Sequence, residues 1–469
     1  MSESAVIDLP EQMDSRDVPL APREPGSPVP LMPIQLSIMK WMKESKTQDS
    51  LRFCTIALRL LGSLDVPSLD RSITEVVARH ESLRTKIVEV DGVPRQHVDE
   101  LLDHYLEVVD LYPVAPSLRE EEVQKLAHEF AEVKIDLSVG PLFAAKLFRL
   151  SDDEHVLIVA VDHIIMDRVS MGILNREIWT FYHQTVKGLP ASLPTLPVQY
   201  GDYAAWLHKT LGIWRKKHEA HWRERLSGAP TLKLPLGDVP PGLNDSSRLD
   251  ISFGKPLTEK LRKIARREGA LLSTAVLAIY LVAMSRWYDK KDLLMWFVSN
   301  GRYRPELRNM IGFVVHGLNL RIEISDDDSF LDLLKRVSCE LSSANEHRDF
   351  GWIPHVLEVP MTDLSFNWGP GWAVGNVHGA VEGSGIRIQP FPLRKKLPGF
   401  NAGFFDDTPA GIVMYVYHTP EVIAAHIIKR FGDGMVSLAE EFAEHPLARM
   451  GTFLHKVSKF DSNMQSQSN

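Results

Sequence analysis

Cysteine is almost missing from this 469-residue chain: Cys54 and Cys339 are the only two, far apart and without CxxC spacing. A disulfide scaffold and a cysteine-ligated zinc site are therefore not expected, and a reducing, cytoplasmic compartment is. No apolar run approaches the roughly 18 to 20 residues that a membrane span requires. The opening MSESAVIDLPEQMDSRD has neither the basic nor the apolar stretch of a secretory signal. An excess of positive charge is lacking too. Lys and Arg number 53 against 61 Asp and Glu, a net charge of -8, whereas a nucleic-acid-binding domain is expected to be basic. The sequence shows no glycine-rich phosphate loop, no metal-spaced His/Asp cluster and no short-period repeat, so nucleotide, metal and solenoid are not expected.

What remains is ordinary globular composition, 44% hydrophobic and 24% charged. The length exceeds a single core and predicts two large domains or a pseudo-duplicated pair. Residues 1–30, rich in Pro, Ser and acids, are expected to be a mobile leader, and 458–469 a disordered tail. Between them helix and strand patterns alternate. LRFCTIALRLLG (Leu51 to Gly62) reads as a strand, and about Pro67 to His80 as a helix with Ile73, Val76 and Val77 on one face. KIVEVDGVPRQHV reads as a hairpin turning at Asp91-Gly92. A helix over Glu120 to Lys134, strands around Leu142 to Leu150 and His155 to Val161, and a helix from near Val169 complete a first half. The Pro-rich GLPASLPTLPVQY (Gly188 to Tyr200) is the linker candidate. A helical pass over Tyr203 to Leu226, a strand ISF, two apolar helices within Thr258 to Tyr288 and a strand Asp292 to Asn300 open the second half. Each half mixes helices with a sheet, as in an α/β sandwich, with lobes expected at 31–190 and 191–457.

The sharpest local feature is DHIIMDR, with His163 and Asp167 four apart at a strand-to-helix turn. Acyl transfer to an amine or hydroxyl needs a group that receives the nucleophile's proton near neutral pH, and histidine suits this best. The acid around the turn is better placed to brace the loop, and bidentate arginine is its natural partner. Alone the spacing says little, because 18 histidines make about one HxxxD match expected by chance. It equally describes a buried histidine bonded to backbone.

Other segments supply context. LMPIQLSIMKWM (Leu31 to Met42), RHESLRTKIVEVDGVPRQHV (Arg79 to Val98), IDLSVGPLFAAKLFRL (Ile135 to Leu150), DHIIMDR, LPVQYGDYAAW (Leu196 to Trp206), HWRERLSGAP (His221 to Pro230) and GRYRPELRNMIGFVVHGLNLR (Gly301 to Arg321) occur in that order. SFNW (Ser365 to Trp368) and GIVMYVYHT (Gly411 to Thr419) fit more loosely. In sequence and order these resemble the motif series of condensation domains of nonribosomal peptide synthetases, from about Leu31 to near Glu440.

The resemblance implies two chloramphenicol-acetyltransferase-like αβ sandwich lobes in a V, with a tunnel at their junction. It implies acyl transfer from the phosphopantetheine thioester of a partner carrier protein to a small acceptor, forming an amide or ester in secondary-metabolite or antibiotic biosynthesis. A free-standing, cytoplasmic monomer with no bound cofactor is expected, its carrier acting in trans. By position, His163 matches the catalytically central histidine, Asp167 the structural aspartate and Arg302 the arginine paired with it. Asp162, Arg168, His316 and Asn367 are the expected substrate contacts. Three of these depart from the family pattern: Asp162 replaces a histidine, Arg168 a glycine and His316 an asparagine. Arg168 could narrow the passage of a phosphopantetheine arm, grip an anion such as a free acceptor's carboxylate, or turn outward to solvent. The departures also leave room for an inactive relative that docks a carrier or recruits a partner. Asp349-Phe350-Gly351-Trp352 is similar to the DFGWG motif of plant-type CoA-dependent acyltransferases. Those enzymes lack RHExLRT and QYxDYAxW, so the match is read as chance, while an acyl-CoA donor stays in play. WRKKHEAHWRER (Trp214 to Arg225) and LRKIARR (Leu261 to Arg267) are basic, either as solvated faces or as a dock for an acidic carrier protein.

Overall fold

The computed structural model describes residues 18–24, 26–44, 53–132, 135–190, 192–233, 246–350, 362–369, 379–380, 385–393 and 400–459. The first half runs β1 (Val29–Pro30), α1 (Pro33–Glu44), β2 (Phe53–Leu61), α2 (Val66–Arg79), β3 (Thr85–Val90), β4 (Val93–Val98), β5 (Leu106–Asp110), α3 (Arg119–Ala131), β6 (Phe143–Arg149), β7 (Glu154–Asp162) and α4 (Arg168–Val186). The apolar run of β7 is buried on both faces, and the strand period divides it cleanly. Leu157, Val159 and Val161 join the core that contains Ile73, Val76 and Val77 of α2 and Ile173, Leu174 and Ile178 of α4. Val156 and Ile158 join a second core with Val123 and Ala127 of α3. Helix α2 starts where Asp65 accepts a hydrogen bond from the Ser68 amide, an N-cap that satisfies one of the first-turn donors. Asp91 and Gly92 both take positive φ, 53° and 75°, the geometry that a two-residue hairpin loop demands.

The second half runs α5 (Tyr200–Leu226), β8 (Ser247–Ser252), α6 (Lys255–Arg267), α7 (Leu272–Tyr288), β9 (Asp292–Ser299), β10 (His316–Glu323), α8 (Phe330–Glu346), β11 (Ser365–Asn367), β12 (Gly379–Ala380), β13 (Arg387–Pro390), β14 (Phe400–Phe405), β15 (Val413–His418) and α9 (Ala425–Glu444). Helix α7 is apolar all round and buried as the centre of this half. Helix α6 is not the apolar helix expected. Only Leu257, Thr258, Leu261 and Ala265 are buried, and its cations face outward. No single helix among the described residues is long and apolar enough to cross a membrane.

Two sheets, β10-β9-β11 and β14-β15-β8, are linked by a parallel bridge between Trp368 and Phe404. The first-half sheet has the order β12-β13-β2-β7-β6-β5. Strands β12 and β13 thus come from the second half, with Ile388 opposite Leu60. The chain crosses back over the boundary expected at 190/191.

The leader expectation is corrected for the residues from Val18 to Pro30 that are described. Leu20 and Val29 are buried with Tyr203 and Trp206 of α5. Arg23 donates from Nη1 to Asp202 at 2.7 Å and from Nη2 to Glu81 at 2.8 Å. Trp206 Nε1 and Arg304 Nη1 both donate to the Val18 carbonyl. An extended strap needs no periodic pattern, so composition does not reveal it. Residues 1–17, and the expected tail from 460, lie outside the described residues.

Candidate active site

The continuous burial of β7 ends at Asp162, where the chain makes one 3-10 turn (His163–Ile165) before α4. The Asp162 carboxylate accepts from the Ile164 amide at 3.0 Å and caps that turn. It is 1% exposed. Asp162, an expected substrate contact, thus stands as a buried cap of the turn.

His163 is half-buried. Its Nδ1 lies 2.7 Å from the Met166 carbonyl, which fixes Nδ1 as the protonated nitrogen and leaves Nε2 as the acceptor. Phe313 packs against the ring in an edge-type pair, with centroids 4.9 Å apart and the planes at 61°. Cys54 of β2 donates to the same Met166 carbonyl, at 3.8 Å. Burial disfavours the imidazolium, but the Cys54 sulfur and the Met166 carbonyl outweigh it, and the His163 pKa is pushed up to about 10.

Asp167 is the N-cap of α4 and is fully buried. Its Oδ1 accepts from the Ser170 amide at 2.8 Å and from Arg302 Nη2 at 3.0 Å. Its Oδ2 accepts from Arg302 Nη1 at 2.9 Å and from the Val314 amide at 2.9 Å. The pair is bidentate, and the side chains of Arg302 and Asp167 are 5% and 1% exposed. Arg302 Nη2 also donates to Ser170 Oγ at 2.7 Å, and that hydroxyl donates to the Gly312 carbonyl at 2.8 Å. Asp167 thus has its acceptor sites occupied and acts as a brace across the halves, not as a proton relay.

Arg168 crosses the same junction to a different place. Its Nη1 donates to the Tyr415 hydroxyl of β15 at 3.0 Å, with the guanidinium carbon 5.5 Å from that ring's centroid. Gly369 lies beneath it, where a Cβ would come 3.0 Å from Arg168 Nε. Arg248 packs on Tyr415 and Tyr417, and these tyrosines form a small cluster with Phe405 and Val413. The outward-turned alternative for Arg168 is thereby corrected. Asn367, half-buried, ends β11 opposite Val298, two residues before Gly369.

His316, another expected substrate contact, is buried. It is 6% exposed and 2.9 Å from the Tyr203 hydroxyl through Nε2. Burial holds its pKa below the ordinary imidazole value, more than the nearby Asp349 raises it.

Sequence reasoning missed Cys54, Met166, Ser170, Phe313 and Tyr415. Ser170 had one local signal, standing three residues after the capping Asp167. Cys54 and Tyr415 had none, because only the folded sheets bring them to the turn. On α5 the exposed cations include Lys216 and Lys217, while Arg223 pairs with Glu219. On α6, Arg266 and Arg267 are exposed and Arg262 pairs with Asp406.

Comparison with known proteins gives the family and the fold. The family model described as Condensation domain matches residues 27–364. A linear gramicidin synthase protein of Brevibacillus parabrevis is 35% identical over 350 residues, covering 73% of this chain and 7% of the relative. This chain therefore spans a small part of that relative's length. Among solved structures, the X-domain from teicoplanin biosynthesis superposes with a TM-score of 0.77 at 24% identity, covering 92% of this chain and 99% of that one. The first condensation domain of the calcium-dependent antibiotic synthetase gives 0.72 at 19% identity, covering 91% and 99%. With a family match over most of its length and a fold shared over 92% of it, the chain belongs to the condensation domain family of nonribosomal peptide synthetases.

Proposed function

We propose that this chain transfers an acyl or aminoacyl group from a carrier protein's phosphopantetheine thioester to the amine, or hydroxyl, of a small acceptor. The observation that carries this is the fixed His163 ring. Its Nδ1 is committed to the Met166 carbonyl, and Asp167 is taken out of proton chemistry by Arg302. Nε2 is then the one basic site on the turn. In the reaction the nucleophile's lone pair attacks the thioester carbonyl while Nε2 receives its proton. The tetrahedral oxyanion collapses, the C–S bond breaks, and the pantetheine sulfur leaves as the thiol after taking that proton from His163. The products are the amide or ester and the free thiol. His163 must begin neutral to serve as this base, so its raised pKa predicts a reaction that quickens with pH.

Arg168 supports an acceptor that arrives free. Turned onto Tyr415 at the junction, it can exchange the hydroxyl for a carboxylate, a stronger acceptor. The exposed cations of α5 and α6 suit the acidic face of a carrier protein, and a cytoplasmic setting fits such a partner. One observation favours a second reading. Arg168 spans the junction in the position where the family's motif has glycine, and Asp162 has replaced an imidazole, departures that leave room for a module that recruits and does not catalyse. A teicoplanin X-domain forms a complex with OxyB.

Incubation with an acyl-loaded carrier protein, and separately with the matching acyl-CoA, decides among these. Turnover with the loaded carrier is the expected result. Preference for CoA would move the chain to acyl-CoA-dependent transfer, and carrier binding without turnover to the recruitment reading.

A further inference from the structure

The loop from Gly301 to His316 supplies Arg302 to Asp167, the Val314 amide to the same carboxylate, Gly312 to Ser170 and the Phe313 ring to His163. What holds this loop in place lies at its neck. Gly301 has φ +68°, and a Cβ there would sit 1.8 Å from the Val314 carbonyl oxygen and 2.9 Å from His316 Cδ2. The two ends of the loop are therefore pressed together, at a spacing only glycine permits.

Both ends then come to one buried carboxylate, the first by a hydrogen bond and the second beyond hydrogen-bond reach. The Tyr303 hydroxyl, next to Arg302, donates to Asp349 Oδ1 at 3.4 Å. His316 Nδ1 lies 4.0 Å from that same oxygen. The Arg348 guanidinium stacks over the Tyr303 ring at 3.5 Å and reaches Asp349 at 3.9 Å. On the far side of His316, Tyr203 of α5 closes the network at 2.9 Å. Tyr203 is fully buried and Asp349 is 8% exposed. A buried network of this kind is rigid when complete and costly when any member loses its partner.

We propose that Asp349 and His316 are positioning residues that clasp both ends of this loop, holding Arg302 against Asp167 and Phe313 against His163. The proposal gives a role to the Asp349-Phe350 segment and to the histidine that replaces the family's asparagine. Tyr203 comes from the QYGDYAAW segment, so the clasp ties α5, the turn after α8 and the loop into one unit. It rests on the reading that His163 is the working group.

The test uses the full chain with isotope-labelled histidine, the His163 signals being identified by their loss in His163→Gln. Those signals should carry a ring-current displacement from the nearby Phe313 ring. Asp349→Ala and His316→Leu should abolish that displacement and lower kcat roughly 10- to 100-fold, with KM within about twofold. His316→Asn, which can still bond Tyr203, should keep it. Tyr303→Phe deletes one hydroxyl and little packing, so it reads the clasp even if Asp349→Ala fails to fold, and it should lose part of the displacement. An unchanged His163 signal in folded Asp349→Ala, or in Tyr303→Phe, overturns the clasp. The signal is read without substrate. Loss of displacement together with normal turnover by His163→Ala would sink the acyl-transfer reading and leave the clasp standing.

Discussion

Asp167 and Arg168 are neighbours in sequence, and both cross the junction between the halves, yet they make opposite kinds of contact. The Asp167 side is closed. Its carboxylate takes four hydrogen bonds, two of them from Arg302, and the pair is almost wholly removed from solvent. The Arg168 side is more open, a half-buried guanidinium resting on a tyrosine. The first holds the shape of the turn and matches the family. The second is where this chain departs from the family, and so where its choice of partner or acceptor is to be sought. The brace and the departure from the family stand on adjacent residues.

The largest effect is expected on the closed side. Asp167→Ala leaves Arg302 buried and unpaired, which should cost about 3 to 5 kcal/mol and remove activity as well. Urea unfolding measures this, and a loss below about 1 kcal/mol would show the brace to be dispensable. On the other side, Arg168→Gly should leave stability nearly unchanged. If a carboxylate is held there, the acceptor's KM should rise on the order of 10- to 150-fold, the equivalent of about 1.5 to 3 kcal/mol, with donor KM unaffected. Activity gained with carrier-bound acceptors, at unchanged affinity for free ones, would instead make Arg168 a gate.

A smaller effect separates the turn from both sides. On the proposed mechanism His163 works as the neutral imidazole, and its pKa is pushed up to about 10, so kcat/KM should climb with pH toward that value. Cys54→Ala removes a cause of the rise and should move the climb to lower pH. The sign for stability runs the other way. A raised imidazole pKa stabilises the fold fully below the unfolded value, about 6.5, and the contribution is lost as pH rises through about 10. A pH profile indifferent to Cys54→Ala would remove the sulfur from the account.

Local pattern carried much of this fold. The hairpin at Asp91-Gly92, the apolar β7 and the start of α4 are written in a few adjacent residues each, and the structure has them at those places. Strand β13 is not legible in this way. It is four residues long, ends in Pro390 and pairs with a strand far away in sequence. The strap at Arg23 is extended chain held by four distant side chains, those of Glu81, Asp202, Trp206 and Arg304, which periodicity cannot report. At the site, family resemblance supplied His163, Asp167 and Arg302, because spacing alone could not join Asp167 to a partner on another element. A motif position does not tell which way a side chain is turned. Asp162 faces an amide of its own turn, and His316 faces Tyr203.

The central claim is that His163 handles the nucleophile's proton. It is tested most directly by single-turnover transfer from an acyl-loaded carrier protein to an amine acceptor, comparing the native chain with His163→Ala. The account predicts a fall of roughly 10²- to 10⁴-fold with an unaltered unfolding midpoint. Transfer at the native rate by a folded His163→Ala protein would contradict it.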